Sequence, residues 1–176
     1  MHFSASIPSA VFLAFVTISS IGQAADPTTW PQWRGPTRDC KVSTETPWPK
    51  TVSGNSLDKS WSGTFGPSYS GPIVSKNLIF VTETRNRRSE VVRALDRRTG
   101  KEVWKSEWAG AMSVPFFAKA NGDWIRATPA FDGKRLYVAG ILDVLVCLDA
   151  TSGKVLWHVD FVQSFKSQLP SFGCVS

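Results

Sequence analysis

Residues 93–104 read RALDRRTGKEVW, and residues 146–157 read VCLDATSGKVLW. Leu95, Asp96, Gly100, Lys101 and Trp104 recur as Leu148, Asp149, Gly153, Lys154 and Trp157, an offset of 53. Upstream, SGPIVSKNLIFV (70–81) is answered by ATPAFDGKRLYV (127–138). There Pro72, Ile79, Phe80 and Val81 match Pro129, Leu136, Tyr137 and Val138 at an offset of 57. The change from 57 to 53 gives the first copy four extra residues between its matched blocks. They fall in 84–90, a polar stretch that reads as a longer hairpin loop, where insertions belong. Self-similarity at this spacing marks a repeat architecture.

Each copy predicts four short strands. The first copy places them at 71–75, 78–83, 91–96 and 102–108, and the second at 128–131, 135–140, 144–149 and 154–160. Alternating and β-branched residues favour strand over helix. Four antiparallel strands per repeat make the blade of a β-propeller. The recurring motif then has a mechanical purpose. Asp96 and Asp149 can accept hydrogen bonds from turn N–H groups. Gly100 and Gly153 suit a positive φ before the fourth strand. Trp104 and Trp157 follow, placed to pack against a neighbouring blade, and each buried indole N–H needs an acceptor. The aspartates therefore read as structural rather than as metal ligands.

The N-terminus reads as a secretory signal peptide over 1–24. Val11 to Ile18 is a short apolar run, and Gly22-Gln23-Ala24 supplies small residues at a cleavage site. The run falls short of the roughly 20 residues of a membrane span, and no later stretch could span. The expected location is periplasmic or secreted. The net charge is +6, from 20 basic and 14 acidic residues, and it informs about partners only where the charges cluster. Export disfavours nucleic acid. Of three cysteines, Cys147 lies in an alternating apolar run and reads as a buried small hydrophobe. A Cys40–Cys174 bridge is compatible with export but not required by the sequence.

At Leu-Asp-x-x-[Thr/Ser]-Gly-Lys-x-x-Trp the chain resembles the pyrroloquinoline-quinone (PQQ)-like propeller repeat. That repeat occurs in quinoprotein alcohol dehydrogenases and in the propeller lipoprotein of the outer-membrane β-barrel assembly machine. Trp30-Pro31-Gln32-Trp33-Arg34-Gly35-Pro36 also resembles the opening of exported PQQ-like propeller proteins of planctomycete type. In that pattern Gly is usual where Cys40 stands here. Leu57-Asp58-Lys59-Ser60-Trp61 resembles the end of a blade motif, with Trp61 in the role of Trp104 and Trp157. The resemblance implies that 57–65 is a closing strand for the last blade of a ring.

The expected fold is all-β: a partial β-propeller of about two complete four-stranded blades (71–108 and 127–160) plus an N-terminal closing strand. An extended segment fills 25–56, the repeats run through 57–176, and a further blade starts near 173–176. Full rings have roughly four to eight blades, so the reading is of an incomplete ring, with open blade faces that favour self-association.

No catalytic constellation stands out. The adjacent cysteines and Glu/Asn/Asp calcium site that the resemblance would imply for a quinoprotein dehydrogenase have no adjacent-cysteine counterpart here. Catalytic and metal residues are therefore expected to be none, and cofactor-binding residues are unknown. No cofactor is expected for this chain, with PQQ implied by resemblance only. Two binding candidates remain. The interblade linker 109–126 carries Phe116, Phe117 and Trp124, which read as a plug over one face of the ring or as a binding loop. The basic run of Arg85, Arg87, Arg88, Arg93, Arg97, Arg98 and Lys101 reads as a solvated hairpin or as a site for an anionic ligand. The leading function is a non-enzymatic exported scaffold or binding module with an envelope-protein or anionic partner. The alternative is a fragment of a quinoprotein-like dehydrogenase.

Overall fold

The computed structural model describes residues 28–42, 50–51 and 58–175. The stretch 1–24, expected to be a signal peptide, lies outside them. Among the described residues, eight strands form two antiparallel sheets of four, each in sequential order. Blade 1 contains β1 (Ile73–Val74), β2 (Leu78–Arg85), β3 (Ser89–Asp96) and β4 (Glu102–Ala109). Blade 2 contains β5 (Ala130–Phe131), β6 (Arg135–Ala139), β7 (Val144–Asp149) and β8 (Val155–Asp160). A 3-10 helix (Phe116–Asn121) sits in the connector, and a short helix, α1 (Phe161–Phe165), follows β8. The Asp160 carboxylate caps α1 by accepting the Gln163 N–H at 2.8 Å. The all-β, two-blade reading therefore holds.

The recurring turn behaves as its residues dictate. Gly100 and Gly153 have φ of 71° and 72°, conformations that a side chain would strain. Asp96 Oδ1 accepts the Thr99 N–H and hydroxyl, both at 2.7 Å. Asp149 Oδ1 accepts the same two groups of Ser152, both at 2.8 Å. These bonds hold both Asp carboxyls below the usual carboxylate range. Each outer strand then enters its ladder with a register shift at the equivalent place, Ala94/Leu95 in blade 1 and Cys147/Leu148 in blade 2.

The four extra residues of blade 1 depart from the expectation of a longer loop. They lengthen the ladder instead. Pairing continues through Glu83↔Val91 and Thr84↔Glu90 to Arg85↔Ser89, whereas the blade 2 hairpin stops at Ala139↔Leu145. Polar side chains survive in these strands because the structure gives them partners. Glu83, Thr84 and Glu90 are all buried. Thr84 Oγ1 accepts the Ile125 N–H at 2.8 Å, and Glu83 takes Arg93 and the Gly66 N–H.

The core is the seam between blades. Ile73, Phe80, Val92, Ala94 and Trp104 pack with Leu136, Val138, Val146, Leu148 and Ala150, and Ile125 comes from the connector. Trp104 lies across the turn of blade 2. A Cβ on Gly153 would come within 2.5 Å of its ring, and its indole N–H donates to Ala150 O at 2.9 Å. Burying an indole removes roughly 150–250 Å² from water, on the order of 4–6 kcal/mol at about 25 cal/mol per Å².

Trp61 repeats this contact one step earlier. Its indole N–H donates to Arg97 O at 2.9 Å, and its ring covers Gly100. Its expected role is thus fulfilled, but without the expected strand. Leu57 lies outside the described residues, and 58–65 form no strand. The segment lies instead against blade 1, where Thr84 N–H donates to Pro67 O at 2.9 Å. Among the described residues no sheet lies beyond blade 1 for a strand to join. Residues 173–175, expected to begin a further blade, form no strand either, and Cys174 N–H donates to Ile141 O at 3.3 Å.

The segment around Trp30 has an unforeseen place. Trp30 forms an antiparallel bridge with Val74, and Pro31 O accepts the Phe131 N–H at 2.8 Å. It therefore ties together the free edges of β1 and β5, the first strands of both blades. Cys40 adopts φ of 63°, which explains why the resembled pattern prefers Gly there. All three cysteines are free thiols, with Cys147 buried and Cys40 exposed.

Candidate binding surface on the connector

The connector from blade 1 to blade 2 is anchored at both ends and exposed in the middle. Val114, Ala118 and Ile125 are buried. Pro115 precedes the 3-10 helix, and its carbonyl accepts the Ala118 N–H at 2.8 Å. Between these anchors Phe116 is 83% exposed and Phe117 is 70% exposed. Their rings meet edge to face at 5.6 Å, and Phe117 meets Phe172 at 6.2 Å. Three aromatic rings from two segments thus make one ridge, facing water.

Trp124 does not join them. It packs over Gly122 and lies 5.2 Å from the Tyr69 ring. The Arg126 guanidinium stacks on the other partner of this group, 4.9 Å from the Tyr69 centroid, and donates to Gly122 O at 2.7 Å. Its buried Nε has no hydrogen-bond partner. Tyr69 and Arg126 are equivalent positions of the two copies, as are Gly71 and Thr128, where Gly71 N–H donates to Thr128 Oγ1 at 3.3 Å. The repeat alignment held this information: equivalent residues of adjacent blades meet across the seam.

The structure disperses the basic run. Arg85 pairs with Glu107 at 3.1 Å, and Arg93 is shared between Glu83 and Glu102. Burial pushes the Glu83 carboxyl up, but the Arg93 guanidinium and the Gly66 N–H outweigh it, and the net shift is downward. Arg97 is turned to backbone, donating to Thr28 O and Ser75 O. Arg87 alone of these lines a small polar cavity of about 150 Å³, with Ser113, Val114, Lys119 and Asp123.

Local pattern does not single out Glu90, because it follows the polar run Asn86 to Ser89. It is 1% exposed and carries no ion pair among the described residues. One carboxyl oxygen accepts the Trp108 indole N–H at 2.9 Å, and the other accepts the Ile141 N–H at 2.6 Å. Burial raises its pKa above the usual glutamate range against the pull of both donors. It clasps blade 1 to the β6–β7 hairpin of blade 2.

Among the described residues no three His, Cys, Asp or Glu side chains converge to hold a metal ion. Cys40, Cys147 and Cys174 are far apart in sequence and unbonded. Arg126 with Tyr69 offers one cation on an aromatic face. The described residues do not make the quinone-and-calcium donor set. No described helix is long and apolar enough to cross a membrane.

Two antiparallel four-stranded blades joined by a shared turn-and-tryptophan motif define a β-propeller repeat protein of the PQQ-like class. Residues 87–172 match the model of a PQQ-type repeat family described as outer membrane protein assembly factor BamB. It is 32% identical over 108 residues to the serine/threonine-protein kinase AfsK of Streptomyces griseus, covering 61% of this chain and 12% of that protein. It is 30% identical over 66 residues to BamB of Shewanella oneidensis, covering 38% of this chain and 17% of that protein. The chain thus spans less than a fifth of either relative. Similar solved structures include BamB from Moraxella catarrhalis, with a TM-score of 0.42, 20% identity, and coverage of 57% of this chain and 26% of that one. Another is the quinohemoprotein alcohol dehydrogenase from Comamonas testosteroni, with a TM-score of 0.41, 25% identity, and coverage of 60% and 14%.

Proposed function

We propose that this chain is a non-enzymatic scaffold or binding module of the cell envelope, exported through its N-terminal signal peptide, and that the connector ridge is its contact surface. The observation that carries the reading is the exposure of Phe116 and Phe117 on a segment whose flanks are anchored. A plug would bury those rings. Paired aromatic rings on a held loop instead suit a partner surface, where aromatic anchors supply much of the binding energy. The name of the BamB relatives, an assembly factor, supports an envelope protein as the partner.

The test is cross-linking in the envelope from a photoreactive residue at position 117, compared with the same residue at Lys101 on the β3–β4 turn. A discrete protein adduct from 117 that Phe116→Ser abolishes supports the reading. Equal or absent adducts from both positions defeat it.

The second reading, a portion of a quinoprotein-like dehydrogenase, draws on Arg126, whose stacked guanidinium carries a buried, unpartnered Nε. Titration with PQQ and calcium decides it. Saturable quenching of tryptophan emission, lost in Arg126→Ala, supports this reading, and its absence removes it.

A further inference from the structure

The two outer strands occupy equivalent places but differ in how their edges are guarded. Strand β4 reads EVWKSEWA and strand β8 reads VLWHVD. At the 53-residue offset, Glu102 is replaced by Val155 and Lys105 by His158, and only Glu107 keeps its charge, as Asp160. Each strand lies at the end of its sheet order, so each presents unpaired backbone groups. Sheet proteins guard such edges with charge. Strand β4 does so, whereas residues 155–158 of β8 are all exposed and carry no formal charge, with Lys154 just before the strand and Asp160 at its end.

We propose that β8 is an interaction edge that pairs antiparallel with β8 of a second copy of this chain. A two-fold register centred on Trp157 sets Trp157 opposite Trp157 of the second copy, Leu156 opposite His158, and Val155 opposite Val159. Lys154 and Asp160 bracket the strand with opposite charges. In this register each Lys154 lies directly opposite the other copy's Asp160, twice by symmetry, and no like charges face one another. A second copy fits this edge better than it fits the open face of blade 2. That face presents Trp157, whose natural complement is a Gly turn, and the corresponding turn at Gly100 is already covered by Trp61. Beside the strand, a cleft of about 310 Å³ lined by Trp108, Val144, Val146, Val155 and His158 leaves room for side chains at the junction.

Sedimentation equilibrium of the purified protein over a wide concentration range tests the proposal. The expected species is a closed dimer. Val155→Glu with His158→Lys, which installs the blade 1 residues, should weaken it roughly tenfold or more. Leu156→Lys, at an exposed position, should do the same and serves if the double variant fails to fold. Three results overturn the proposal: a wild-type monomer throughout, an open-ended series of larger species, or a dimer that survives both edge variants. Survival combined with loss in Tyr137→Arg would assign the contact to the blade 2 face.

Discussion

Trp104 and Trp157 are one position seen twice, and they share an aromatic neighbour but not a cover. In blade 1, Phe80 and Trp104 lie 5.8 Å apart. In blade 2, Tyr137 and Trp157 lie 6.1 Å apart. The pair geometry is nearly conserved, yet Trp104 is 8% exposed and Trp157 is 42% exposed. The blade builds the pair from its own strands, whereas covering it takes a second blade with a turn to offer. A repeat of this kind is stable chiefly through its neighbour.

Mutation should separate the two roles. Trp104→Ala should cost about 3–5 kcal/mol, the range of a buried tryptophan truncation, and lower the melting midpoint sharply. Trp157→Ala should cost about 1 kcal/mol, since the ring keeps only its intrablade contacts. Equal losses in chemical denaturation would show that Trp157 is covered in solution, and the contrast between blades would fail.

Glu90 makes the seam asymmetric, since it sits in the ladder extension that blade 2 lacks. Glu90→Ala leaves two buried N–H donors, of Trp108 and Ile141, without an acceptor, and should cost about 2–4 kcal/mol. The pH dependence has a definite sign. The folded-state pKa is raised, so the contribution of Glu90 is full below the ordinary glutamate range and is lost as pH rises through the raised value. The stability gap between wild type and Glu90→Ala should therefore be widest in acid and narrow upward. A gap that widens with pH would mean that the carboxylate form is the better clasp.

The smallest effect tests the residue that differs within the pair. Tyr137→Phe copies Phe80 into blade 2 and removes a hydroxyl that donates to Asp132 at 2.8 Å. That exposed bond is worth about 0.5 kcal/mol. A larger loss by thermal melting would show that the hydroxyl does more than hold its own hairpin.

Much of this protein was legible before its coordinates. The eight strands, the φ of Gly100 and Gly153, the aspartate turns and the role of Trp61 follow from the repeat, because each depends on residues close in sequence or on the motif itself. Other features did not follow. The stretch 84–90 reads as loop because its polar residues give no alternation, whereas contacts of Thr84 and Glu90 with Ile125, Trp108 and Ile141 carry the ladder up to the 86–88 turn. Phe116, Phe117 and Trp124 are aromatics of one linker, yet two face water and one packs on Tyr69.

By itself, then, the sequence determined the blade: periodicity, turn chemistry and a tryptophan in need of an acceptor are local properties, written within tens of residues. The tertiary structure decided which of these parts are covered. Burial of Trp104 depends on Ala150 and Gly153, and closure of the inner edges of β1 and β5 depends on Trp30 and Pro31. Those partners lie far along the chain, and no local pattern states whether a distant segment will be there to exclude water.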